Sequence, residues 1–310
     1  MSLLRTALLA ASTNPWLRER ATKTRFVRRS VRRFMPGERL EEALDAARAL
    51  QDRGIATILT ALGENLAAPG EADRVVEHYE EVFERIAEAG LDAQVSVKPT
   101  QLGLDLDPDL CERNVQRLLD AADRRRNLLW IDMEASPYVD RTLALYRRLR
   151  ARSPRVGVAL QAYLYRTAGD LDALLPLGPA VRIVKGAYLE GPAVAYPRKR
   201  DVDENFYRLC VRLMSEEARR AGALVHVATH DATLVGRLRR YAADHGVPAG
   251  SREFAMLYGI AVRQQLELAA AGEPIRVLIS YGESWFPWYM RRLAERPANI
   301  WFVLKNLVDR

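Results

Sequence analysis

A closed (β/α)8 barrel of the TIM type is the fold this sequence predicts, on three observations. Short runs rich in Val, Ile and Leu alternate with longer amphipathic segments from residue 55 onward. The alternation repeats eight times over about 250 residues, the length one such barrel needs. No Gly/Ser/Pro-rich linker or change of rhythm splits the chain, which favours closure over the competing doubly wound open sheet.

Residues 1–54 read as an N-terminal helical arm and residues 55–310 as the barrel. The arm ends in a helix over 40–51, with Leu40, Ala43, Leu44 and Ala47 on one face. The expected strands are 56–62, 94–98, 128–132, 156–161, 181–185, 224–229, 252–257 and 276–280. Helical patterns separate them at 72–89, 108–125, 139–150, 168–175, 203–222, 232–245 and 261–271. A last helix is expected to enter through Ser284, with Pro287 in its first turn, where a missing N–H costs nothing.

Composition narrows the class without choosing a function. Of 310 residues, 49% are hydrophobic and 28% charged, the balance of a soluble globular protein. The net charge of +7 suits nucleic acid, an anionic membrane or acidic ligands alike. Cys111 and Cys210 lie far apart with no CxxC, the pattern of reduced structural thiols in the cytoplasm. No apolar run is long enough to span a bilayer. The stretch 18–33 is rich in arginine and almost free of acids; it reads as a transit peptide or as amphipathic helix of the mature chain, and the second reading is preferred.

Ligands of such barrels sit at the C-terminal mouth, so the strand ends carry the functional signal. They are Glu64, Lys98, Asp132, Gln161, Lys185, His230, Leu257 and Tyr281. Seven of the eight are polar or aromatic-polar, more than stability alone asks of one rim. The last helix adds Arg291 and Arg292 behind Trp285, Phe286 and Trp288, a guanidinium pair beside aromatic walls that suits a small organic acid. Other Arg-Arg pairs, such as 147–148 and 239–240, read as solvated helix faces.

Several chemistries drop out. No G-x-G-x-x-G or Walker-type loop occurs. His226 and His230 fall about 13 Å apart if both lie on a strand, too far to share a metal, and no metal site is expected. No serine sits in a nucleophile elbow. A Schiff-base lyase using Lys185 or Lys98 stays open, and so does a basic module that binds nucleic acid. Neither predicts a bound chromophore, so a visible absorption spectrum tests both.

The segment Val181-Arg182-Ile183-Val184-Lys185-Gly186-Ala187-Tyr188, taken with Tyr281 and Arg291-Arg292-Leu293-Ala294-Glu295, resembles the proline dehydrogenase family. The likeness extends through Leu62-Gly63-Glu64, Val97-Lys98-Pro99, Ile131-Asp132, Leu160-Gln161-Ala162-Tyr163, Ala228-Thr229-His230 and Met256-Leu257-Tyr258-Gly259. It implies a distorted barrel with FAD across the mouth and the last helix over it. Gln161, Arg182, Val184, Lys185, Gly186, Ala187, Thr229 and His230 would touch the flavin, with Glu295 near it. Lys98, Arg291 and Arg292 would clamp the carboxylate of L-proline, and Asp132 would orient Lys98. Leu257, Tyr281 and Tyr188 would wall the ring. Glu64 would pair with Arg291 as a gate, worth little in stability and useful for excluding water. The resemblance further implies oxidation of proline to Δ1-pyrroline-5-carboxylate, with a membrane quinone as electron acceptor. The 18–33 stretch could then meet an anionic bilayer from the cytoplasmic side, with no role for nucleic acid. With the chain ending at Arg310, no aldehyde dehydrogenase domain is expected.

Overall fold

The computed structural model describes residues 31–63, 66, 68–286 and 288–290. Eight parallel strands close into one barrel in chain order: β1 Ala56–Ala61, β2 Ala93–Val97, β3 Leu129–Ile131, β4 Val156–Gln161, β5 Ala180–Val184, β6 Leu224–Ala228, β7 Arg252–Leu257 and β8 Ile275–Tyr281. Closure is the pairing of β1 with β8 over six residues, from Ala56 beside Arg276 to Ala61 beside Tyr281. Every strand lies within two residues of its expected position, because the apolar runs that mark strands are local signals.

The helices are α1 Leu40–Gln51, α2 Pro69–Glu88, α3 Pro108–Arg124, α4 Val139–Arg150, α5 Thr167–Leu174, α6 Lys199–Met214, α7 Glu216–Arg220, α8 Ala232–Asp244 and α9 Val262–Ala270. The single helix expected over 203–222 is a correction: it is two. Ser215 sits in an extended conformation between α6 and α7, and its hydroxyl caps α7 by accepting the Ala218 N–H at 3.2 Å. A capping serine competes with helix continuation in this way. Aspartates cap α3 and α8, where Asp107 and Asp231 each accept two N–H groups of the first turn.

The main core fills the layer between strands and helices. Outward-facing strand residues such as Leu59, Val95, Ile131, Val158, Ile183 and Val227 meet the apolar faces of the helices there. α1 contributes Leu40, Ala43, Leu44 and Ala47 to this same core, so no packing break falls at residue 54. A second apolar cluster joins Val31, Phe34 and Met35 to Ile260, Trp285, Phe286, Trp288 and Tyr289. It ties the chain just before α1 to the first turn of the last helix, and the Trp285 indole N–H donates to Glu38 Oε1 at 2.9 Å. Burial of each large side chain there is worth about 1.5–3 kcal/mol. Gly259, at φ +70, permits this approach, since a Cβ on it would stand 1.6 Å from the Arg33 carbonyl oxygen.

Inside the barrel the packing is different. A small apolar group of Ile58, Trp130 and Ala180 shares the lumen with charged residues. Towards the N-terminal end, Arg276 donates to Glu253 at 2.7 Å and to Asp92 at 2.8 Å, and Glu253 lies 3.3 Å from His226. Burial, then the charges of Arg276 and Arg182, holds the His226 pKa well below 6.5, so the ring is neutral. No helix among the described residues is long and apolar enough to cross a membrane.

Candidate active site

Three of the expected residues meet in the upper lumen, and a fourth, Gln161, ends the neighbouring strand. Lys98 follows β2, Asp132 follows β3, Gln161 ends β4 and Arg182 lies within β5. The Lys98 ammonium donates to Asp132 Oδ2 at 3.0 Å. Asp132 Oδ1 accepts from the Ser96 hydroxyl at 2.9 Å and from Arg182 Nη2. Arg182 Nη2 also donates to Ser96 Oγ at 2.9 Å. To reach β3 and β2 from β5, Arg182 must cross the inner face of β4. It can do so because the β4 residue paired with it is the small Ala159.

Electrostatics keep this group charged. Burial alone would raise the Asp132 carboxyl, but the Lys98 and Arg182 cations overcome it and hold the pKa below 3.8. Burial lowers the Arg182 pKa while Asp132 opposes it, and an arginine in such a pair remains a cation. Two polar atoms in this region are buried with no hydrogen-bond partner among the described residues: Arg182 Nη1, a donor, and Gln161 Oε1, an acceptor. Unmade hydrogen bonds of this kind cost about 1–3 kcal/mol each, and these two belong to strands whose C-terminal ends form the ligand-binding mouth of such barrels.

The rest of the rim surrounds that pair. Val184, at the end of β5, is half-buried on the same strand face as Arg182. Gly186 turns the chain at φ +118, and a Cβ there would stand 2.3 Å from the Tyr163 ring, so only glycine lets the loop lie flat on that ring. Ala187 and Tyr188 follow, half-buried. Glu190 pins this loop to the turn before α4 by accepting the Ser136 N–H and hydroxyl, each at 2.7 Å. Thr229 is buried beyond β6, and His230 Nε2 accepts the Leu257 N–H at 2.9 Å, which joins the ends of β6 and β7.

One expectation needs correcting. Tyr281 does not face the lumen. Its side chain belongs to the barrel-to-helix core, and its hydroxyl is bonded to His78 Nε2 of α2 at 2.8 Å. The strand alternates in and out, and Leu278, an odd number of residues earlier, is the one that packs on the lumen cluster. Lys185 stands at the rim as expected of a strand-end residue, its ammonium 2.6 Å from Asp203 and 3.2 Å from Asp231. Lys98 and Lys185 thus both rest on carboxylates. A Schiff-base nucleophile needs apolar surroundings and neither amine has them, so the lyase reading loses its footing. Glu64, Arg291, Arg292 and Glu295 lie outside the described residues.

Ser96 and Trp130 escaped the sequence reading, although each stands two residues before an expected site residue, Lys98 and Asp132, on the same strand face. The period of two was the available signal.

A closed parallel barrel with a buried charge network at the C-terminal ends of its strands is the architecture of a barrel enzyme. The family model for proline dehydrogenase matches residues 43–305. Proline dehydrogenase 1 of Bacillus subtilis (strain 168) is 38% identical over 309 residues, covering 99% of this chain and 100% of that protein. Proline dehydrogenase of Deinococcus radiodurans is 36% identical over 311 residues, covering 99% and 98%. The chain belongs to the proline dehydrogenase family and is an oxidoreductase acting on proline. Among solved structures, proline utilization A (PutA) from Bdellovibrio bacteriovorus, inactivated by N-propargylglycine, superposes with a TM-score of 0.80 at 21% identity. That match spans 92% of this chain and 34% of the other, and it speaks for the fold.

Proposed function

We propose that this enzyme oxidises L-proline to Δ1-pyrroline-5-carboxylate with FAD as its resident cofactor. The observation that carries the reading is that Arg182 Nη1, on the guanidinium that shares Asp132 with Lys98, and Gln161 Oε1, at the end of β4, are both buried without a hydrogen-bond partner among the described residues. A flavin ring edge offers both acceptors and donors, so this donor and acceptor suit it. Gln161, Arg182, Val184, Gly186, Ala187, Thr229 and His230 would hold the cofactor, with Lys185 and its carboxylates at the edge and Glu295 from the last helix. FAD supplies the hydride acceptor for the proline ring carbon beside nitrogen.

The chain's own residues do the positioning. Asp132 fixes the Lys98 ammonium, which with Arg291 and Arg292 would clamp the substrate carboxylate. Leu257 and Tyr188 would wall the ring, and Glu64 would close on Arg291 to exclude water. Tyr281 has no place in this set, because its hydroxyl is committed to His78. Arg182 brings a buried cation, and a fixed cation favours the negatively charged reduced cofactor.

Electrons would leave to a membrane quinone, with the basic segment 18–33 meeting an anionic surface from the cytoplasm. Equal partitioning of full-length and arm-deleted protein into anionic liposomes would remove that part. The central test is the visible spectrum of the purified protein, which should show flavin bands that bleach with L-proline. Arg291→Met and Arg292→Met should each raise KM for proline at least tenfold with flavin retained. A colourless enzyme, or unchanged KM in both variants, overturns the reading.

A further inference from the structure

We propose that Trp130 is a positioning residue for the reaction: its indole face is the platform that fixes the Arg182 guanidinium against the flavin. The inference rests on the flavin reading above and names a residue that reading does not use.

The Arg182 side chain is restrained from several directions. Asp132 and Ser96 take Nη2, and the Trp130 ring lies beneath the guanidinium carbon at 5.1 Å from the ring centroid. Nη1 is left without a partner among the described residues. A guanidinium bonded along one edge can still swing about that edge. A flat aromatic face under it removes the swing, and in a desolvated site the cation–π contact is worth about 2 kcal/mol or more.

The platform is itself locked. Trp130 is fully buried, and its indole N–H donates to Gln94 Oε1 at 2.7 Å. The His226 ring packs on it with centroids 4.3 Å apart. On β4 the residue paired with Trp130 is Gly157, and a Cβ there would stand 2.6 Å from the indole. Glycine inside a strand gives up packing and costs chain entropy, so its position here makes room for the indole. His226 stays neutral, so the ring packed on the indole brings no second cation beside Arg182.

A tryptophan that only filled the lumen would predict lost stability and nothing else. The positioning role predicts a change in the cofactor. In the holoenzyme, Trp130→Leu should weaken flavin retention about thirtyfold, the scale of a lost buried cation–π contact of about 2 kcal/mol. The flavin midpoint potential should fall, because the reduced anion loses a well-aimed cation. Trp130→Phe keeps a face and should restore most of both. Gly157→Ala, which displaces the indole without changing its chemistry, should shift the potential in the same direction as Trp130→Leu. If Trp130→Leu does not fold, Gly157→Ala carries the test. Wild-type potential and flavin affinity in Gly157→Ala, and in Trp130→Leu where it folds, would overturn the proposal while leaving the flavin reading intact. Absence of flavin from the wild-type protein would overturn both.

Discussion

Removing the Asp132 carboxylate would leave the Arg182 guanidinium buried without its counter-charge. The side chain of Arg182 is 4% exposed, so water cannot take over the role. Breaking a buried pair from one side costs about 3–5 kcal/mol, and Asp132→Ala should lose that much. Lys98→Met removes the other cation but leaves Asp132 bonded to Ser96 and Arg182, so it should cost only about 1–2 kcal/mol. The assay is urea denaturation of both variants, followed by far-UV circular dichroism and tryptophan fluorescence. The pH dependence adds a signature. Asp132 has a folded pKa below its ordinary 3.8, so its contribution is complete above that value and is lost as pH falls through the depressed one. The stability gap between wild type and Asp132→Ala should therefore be constant from neutrality to about pH 4 and close below it. Equal costs for the two variants, or a loss under about 1 kcal/mol for Asp132→Ala, would refute the claim that Asp132 holds Arg182 in the lumen.

Other consequences can be measured alongside. The folded His226 pKa is far below 6.5, so below pH 6.5 the unfolded chain binds a proton that the folded one does not, and stability should fall by up to about 1.4 kcal/mol per pH unit. His226→Gln should flatten that slope by up to one proton; an unchanged slope would show that other groups carry it, His78 being the first candidate since burial lowers its pKa too. Tyr281→Phe should cost about 1 kcal/mol through the lost bond to His78 and leave KM for proline within about twofold. A large rise in KM would contradict the outward placement of Tyr281.

How far the sequence reaches is clearest at particular residues. Eight strands and their helices were legible because apolar periodicity is carried by neighbours in the chain. Lys98, Asp132 and Gln161 were legible as polar groups at strand ends, the positions a barrel turns toward its ligand. Motif likeness drew attention to Arg182, yet no local pattern says that it passes over Ala159 to share Asp132 with Lys98. Tyr281 shows the opposite failure: the right end of the right strand, facing the wrong way, because inward or outward is set by register once the barrel closes. The break at Ser215 and the capture of Lys185 by Asp203 and Asp231 depend in the same way on what stands opposite. Taken by itself, the sequence determined the order of elements, the family and the rim from which a site would be drawn. The tertiary structure alone decided which of those side chains meet, since convergence across a closed barrel depends on strand pairing and stagger between residues far apart in the chain.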